Sequence, residues 1–139
     1  MSDESLASEL RVSVGRASRR IRAERGEAGL PDNQFSVLLW IEKRGPLTPG
    51  QLAELERIQP PSMTRTVNCL ADAGLVSKDA HPTDGRAVVV TLTGQGRGEI
   101  AETRRRRDTW LEKHLATLTA DERVHLTAAA DILRRLADS

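Results

Sequence analysis

The sequence predicts a mainly α-helical fold with one small β-hairpin, and three observations predict it. Apolar residues recur at helical spacing over most of the 139 residues. One stretch, Ala87-Val88-Val89-Val90-Thr91-Leu92, is instead dense in β-branched residues. Capping residues, prolines and glycines then punctuate the chain so that four helices precede the hairpin and two follow it.

In chain order, Glu4 to Arg25 carries Leu6, Leu10, Val14, Ala17 and Ile21 in a narrow stripe. Pro31-Asp32 opens a second helix that runs to about Arg44. Phe35, Leu38, Leu39, Trp40 and Ile41 make it apolar around much of its girth, which predicts a central position. Gly45-Pro46 ends it. Thr48, Pro49 and Gln51 read as a capping box with proline in the first turn, starting a short helix that gives out near Arg57. Ile58-Gln59-Pro60-Pro61 reads as a turn, because a residue before proline disfavours helix. The next helix spans about Pro61 to Ala73 and stops at Gly74. Leu75–Lys78 and Ala87–Leu92 flank a polar turn containing Pro82 and Gly85. Thr93 caps a long helix reaching about Leu118, and Thr119 with Glu122 forms a second capping box before the last helix, which carries Leu126, Ala129, Ile132, Leu133 and Leu136.

Charge gives little direction. The formal net charge is +1, and residues 46–92 hold four basic and five acidic side chains. Any recognition of a polyanion must therefore rest on the placement of a few cations. The acidic start of the chain predicts no secretory signal, and no apolar run approaches the length of a membrane helix. A lone cysteine, Cys69, allows no internal disulfide. A cytoplasmic protein without membrane contact is expected. Catalysis has no support. No nucleophile–base grouping, phosphate-cradling glycine loop or paired metal-ligand motif occurs, so neither enzymatic activity nor a cofactor is expected.

Helix, tight turn, helix and hairpin in succession form a winged helix-turn-helix arrangement. Within Pro61–Gly74, Met63, Val67 and Leu70 share one face. Pro61, Arg65, Asn68 and Cys69 lie roughly opposite, with Ser62 at the edge. Such a helix is anchored on one side and free to enter a major groove with the other, its N-terminal residues and free backbone N–H groups foremost. Winged helices also serve as protein-interaction modules, and the near-neutral charge keeps that alternative open.

Residues 47–97 resemble the core of the MarR family, the multiple-antibiotic-resistance regulators. The likeness rests on Leu52-Ala53, Ser62-Met63-Thr64-Arg65-Thr66-Val67, Leu70 with Gly74-Leu75-Val76, Asp84-Gly85-Arg86-Ala87-Val88 and Leu92-Thr93-Gly94-Gln95-Gly96. It implies a DNA-binding region over residues 31–93, with dimerisation helices in 1–30 and 94–139. The whole would be one domain acting as a homodimer on a pseudo-palindromic duplex operator, as a ligand-responsive repressor. The DNA-facing residues it implies are Gln59, Pro61, Ser62, Thr64, Arg65, Asn68, Asp84 and Arg86. Arg86 is expected in the minor groove at the wing tip, with Asp84 orienting the loop. Gly85 departs from the family, which often has a basic residue there. The family's small aromatic or phenolic effectors suggest Arg16, Phe35 and Trp40 as a pocket.

Other residues carry blander expectations. Cys69 reads as a small filler and not as a redox sensor. His114 and His125 flank a helix junction without forming a metal motif. Arg104–Arg107, with Glu99, Glu102, Asp108 and Glu112 nearby, reads as a solvated, salt-bridged face.

Overall fold

A computed structural model describes all 139 residues. Six helices and one hairpin follow in the expected order: α1 (Asp3–Arg22), α2 (Asp32–Arg44), α3 (Pro49–Glu56), α4 (Pro60–Asp72), β1 (Val76–Ala80), β2 (Val88–Leu92), α5 (Gly94–Leu115) and α6 (Ala120–Ala137). The caps are those the sequence announces. Thr48 and Gln51 exchange both bonds of a capping box, Thr119 and Glu122 do the same, and Thr93 accepts from Gly96 N–H.

Sixteen apolar residues form one core, and all lie between Leu30 and Ile100. α2 is its axis, contributing Phe35, Val37, Leu38 and Ile41. Leu52 and Ala53 of α3, Met63, Val67 and Leu70 of α4, and Val76, Val90 and Leu92 of the hairpin close around it. Burying each large aliphatic side chain stabilises the fold by about 1.5–3 kcal/mol.

The hairpin is antiparallel, with Val76 opposite Leu92, Lys78 opposite Val90 and Ala80 opposite Val88. Its first strand runs two residues beyond the expected Lys78. The connector between α2 and α3 also joins the sheet. Leu47 N–H donates to Val90 O at 3.2 Å, and Val90 N–H donates to Leu47 O at 2.7 Å. These bonds anchor the base of the wing beside the helix-turn-helix.

Two glycines are dictated by geometry. Gly74 adopts φ 79° as α4 turns into β1. At Gly96 a Cβ would lie 2.1 Å from Leu75 O, so only glycine lets the start of α5 close on that turn.

α1 ends at Arg22, three residues earlier than expected, because the segment after it is drawn onto α5. Gly26 N–H donates to Thr103 Oγ1 at 3.1 Å, and Arg107 donates to the carbonyls of Glu24 (3.1 Å) and Arg22 (3.4 Å). Glu99 corrects a second expectation. It does not face the arginine run but is buried, accepting from Ala28 N–H and Thr103 Oγ1. Arg107 likewise turns inward, its guanidinium 4.8 Å from the Phe35 ring centre. Burial is the main influence on its pKa and lowers it; Asp32 opposes the shift, while Arg22 and Arg25 add to it.

Neither α1 nor α6 contains a buried residue. Leu6, Leu10 and Val14 on α1 are exposed, as are Leu126, Ile132, Leu133 and Leu136 on α6.

Candidate nucleic-acid interface

α4 is held by its inner face. Met63, Thr66, Val67 and Leu70 are buried, while Pro61, Thr64, Arg65, Asn68 and Cys69 are exposed and Ser62 is half-buried at the edge. The expected division between an anchored and a free face is therefore present. Two hydroxyls turn back on the helix: Thr64 Oγ1 donates to Pro60 O and Thr66 Oγ1 to Ser62 O, each at 3.1 Å. The Thr64 oxygen keeps its lone pairs outward.

The polar side chains of the free face are already positioned. Arg65 Nη2 donates to Ser62 Oγ at 3.2 Å, which lays the guanidinium along the N-terminal turn. Lys78, on β1, donates to Asn68 Oδ1 at 2.7 Å. That bond ties the wing to α4 and leaves the Asn68 amide N–H groups free. The sequence gives no sign of this bond, because the pairing needs the register of the hairpin.

One expectation fails at the helix start. α4 begins at Pro60, so its first two positions are both proline and carry no N–H. The next two donors, Ser62 N–H and Met63 N–H, both bond Gln59 O, at 3.0 and 3.2 Å. The N-terminus of α4 thus offers no free backbone donor to an anion. Gln59 is its N-cap residue and is exposed, but its side chain makes no cap hydrogen bond.

The wing tip is built from two side-chain acceptors in succession. His81 Nδ1 accepts from Thr83 N–H and Asp84 N–H, both at 3.2 Å. Asp84 Oδ1 then accepts from Arg86 N–H at 3.0 Å. Asp84 therefore shapes the loop that presents Arg86, as expected, through the backbone and not through the guanidinium. Arg86 is exposed, and nothing lies within 4 Å of where a Gly85 Cβ would stand. The role of His81 was not anticipated; the only sequence signal is an acceptor side chain two residues before a Thr-Asp turn.

The suggested effector residues are not brought together. Phe35 is a core residue, Arg16 is exposed on α1, and Trp40 is half-buried with Arg44 5.3 Å from its ring centre. None of them lines a larger cleft of the protomer. A cleft of about 290 Å³ between α1 and α5 is lined by Glu24, Arg105, Arg106, Thr109, Trp110 and Lys113. Arg20 stands 4.4 Å from the Trp110 ring centre, and His114 stacks on that ring at 4.0 Å. Three arginines of the run are paired on the surface, Arg104 with Glu42 and Arg105 and Arg106 with Glu102, each at 2.7 Å, while Arg107 turns inward against expectation.

The comparisons with known proteins agree with this architecture. Residues 30–88 match the model of the MarR family. An uncharacterised HTH-type transcriptional regulator of Mycobacterium bovis is 42% identical over 137 residues, covering 99% of this chain and 96% of its own length. The HTH-type transcriptional repressor MdtR of Bacillus subtilis is 25% identical over 142 residues, covering 99% and 90%. A solved transcriptional regulator of Pseudomonas aeruginosa superimposes with a TM-score of 0.85 at 32% identity, covering 99% of this chain and 96% of that one. With the winged helix built as described and relatives aligned over nearly its whole length, the chain belongs to the MarR family of HTH-type transcriptional regulators and is not an enzyme.

Proposed function

We propose that the protein is a homodimeric repressor that binds a pseudo-palindromic duplex operator, with α4 in the major groove and the wing in the minor groove. The observation that carries this reading is the two-sidedness of α4: an inner face of four buried residues, and an exposed outer face of Pro61, Thr64, Arg65 and Asn68. Gln59 and Ser62 extend the reading edge at its N-terminal end, and Asp84 holds Arg86 toward the minor groove. Repression is supported by the description of the related MdtR as a repressor. Dimerisation is supported by the open apolar faces of α1 and α6, within residues 1–30 and 94–139. Two recognition helices related by a two-fold axis reach half-sites about one helical turn apart. A reducing, cytoplasmic setting suits this role.

A small aromatic or phenolic effector completes the reading. Within one protomer, the Trp110 cleft combines an aromatic wall with Arg105, Arg106 and Lys113.

The test is binding to genomic fragments across a salt series, followed by footprinting of the retained fragments. A steep loss of affinity with salt and a two-fold-symmetric footprint are expected. Salt-independent binding, or none, would instead favour a protein-interaction module.

A further inference from the structure

The two helices of the helix-turn-helix end in the same hydrogen-bonding pattern but with different residues. At the end of α4, Leu75 N–H donates to Leu70 O and Gly74 N–H to Ala71 O, both at 3.0 Å, with Gly74 at φ 79°. At the end of α3, Ile58 N–H donates to Ala53 O at 3.0 Å and Arg57 N–H to Glu54 O at 3.2 Å, with Arg57 at φ 55°, ψ 46°. The left-handed position of this cap favours glycine, because a Cβ there crowds the following carbonyl. Arg57 is the only non-glycine residue in the chain with positive φ. A strained backbone that persists invites a reason in the side chain.

The side chain of Arg57 is exposed, and the hydrogen bonds and ion pairs of the chain leave it without a partner. Two of its fellow cations in this region differ: Arg65 bonds Ser62, and Lys78 bonds Asn68. Of the adjacent acids, Glu56 is engaged by the Ser36 hydroxyl. Arg57 also sits two residues before Gln59, at the end of α4 that leads into the groove. That end has no free N–H, since Pro60 and Pro61 lack one and Ser62 and Met63 bond Gln59 O. A phosphate arriving there must be met by a side chain.

We propose that Arg57 is a DNA-backbone contact at the α3–α4 corner, held at a glycine-type position because its guanidinium neutralises a phosphate as α4 enters the groove. This rests on the reading of α4 as the groove-facing helix. The contact supplies the positive charge that the two prolines remove in the form of backbone donors.

The test compares wild type with Arg57→Gly, Arg57→Asn and Arg57→Lys. Thermal midpoints and affinities for a mixed-sequence duplex several turns long are measured over a salt series. Arg57→Gly should melt a few degrees higher, because strain is relieved, and yet bind DNA about tenfold more weakly. Its salt slope should be shallower by about 0.9 per protomer. Arg57→Asn, which tolerates the left-handed region, should lose affinity similarly without the added freedom of glycine. Arg57→Lys should keep most of the binding. Wild-type affinity in both neutral variants would overturn the proposal and leave Arg57 as a cap. An equal loss in Arg57→Lys, or a lower midpoint in Arg57→Gly, would overturn it in favour of a role in shaping the turn. Absence of salt-dependent binding by the wild type would bring down the groove-facing reading itself, and the proposal with it.

Discussion

The middle and the ends of this chain use apolar residues in opposite ways. Between Leu30 and Ile100 every helix and strand delivers apolar side chains into one core. α1 and α6 carry stripes of the same helical spacing, yet neither buries a residue. Two long helices rarely persist in water on propensity alone. The difference teaches that amphipathic period predicts where a face lies, while the chain's own topology decides whether that face is filled. The middle closes on its own core, and the ends leave their apolar faces open.

The largest effect should come from breaking the ends. Replacing Leu126 and Leu133 together by aspartate places charge on the α6 face without touching the core. Sedimentation should then show a monomer. Affinity for a two-site operator should fall on the order of a hundredfold or more, because the half-sites no longer act together. Circular dichroism should retain the helix and hairpin signals of the middle. A stable dimer in this variant would refute the role assigned to α6.

Breaking the middle should look different. Leu38 is fully buried on the axial helix. Leu38→Ala should lower folding stability by about 2–5 kcal/mol. A lesion inside one protomer acts at every protein concentration, whereas a lesion on α6 acts most when the protein is dilute. Denaturant titrations at two protein concentrations separate the cases. A strongly concentration-dependent loss for Leu38→Ala would erase the distinction between middle and ends.

A third pair of variants should spare both regions and change only DNA binding. Arg86→Ala should lose about 1–3 kcal/mol of affinity for operator and mixed-sequence duplex alike, since a minor-groove arginine reads shape more than bases. Arg65→Ala should instead lose discrimination at one position in each half-site with little change in salt slope, as a guanine contact would. Competition binding against operators substituted one position at a time measures both. A uniform loss for Arg65→Ala with a shallower salt slope would make it a phosphate contact.

How much of this was legible follows the same division. The caps at Thr48, Thr93 and Thr119, the buried face of α4 and the order of elements are local, and period with capping chemistry is enough to read them. The open stripes of α1 and α6 were equally plain as patterns. Features requiring distant partners were not legible: Lys78 on Asn68 depends on strand register, and Glu99 turning inward depends on the segment after α1 folding onto α5. The free N–H groups expected at the start of α4 were lost to a one-residue error of boundary. With Pro61 first, Ser62 and Met63 would stand second and third with free N–H groups; with Pro60 first they stand third and fourth, and both bond Gln59 O. Arg57 gave no sign at all, because the handedness of a cap residue is set by the path of the chain on both sides.

The smallest effect should come from the solvated part of the arginine run, Arg104 to Arg106, whose charges serve neither the core nor the DNA face. Hydrogen bonds from Arg105 and then Arg106 hold the Glu102 carboxyl below its ordinary value of 4.5, against a smaller opposing push from desolvation. A carboxyl with a depressed folded pKa stabilises the fold above its unfolded pKa and loses that contribution as pH falls through the folded value. Glu102→Gln should therefore melt slightly lower than wild type near neutrality, and the difference should vanish at acid pH below the usual carboxylate range. Because the arginines are well exposed, salt should shrink the difference too. Melting curves at neutral and acid pH, each at low and high salt, decide the matter. A deficit that survives both acid and high salt would mean that Glu102 contributes through packing, and that the division between core and solvated surface is drawn in the wrong place along α5.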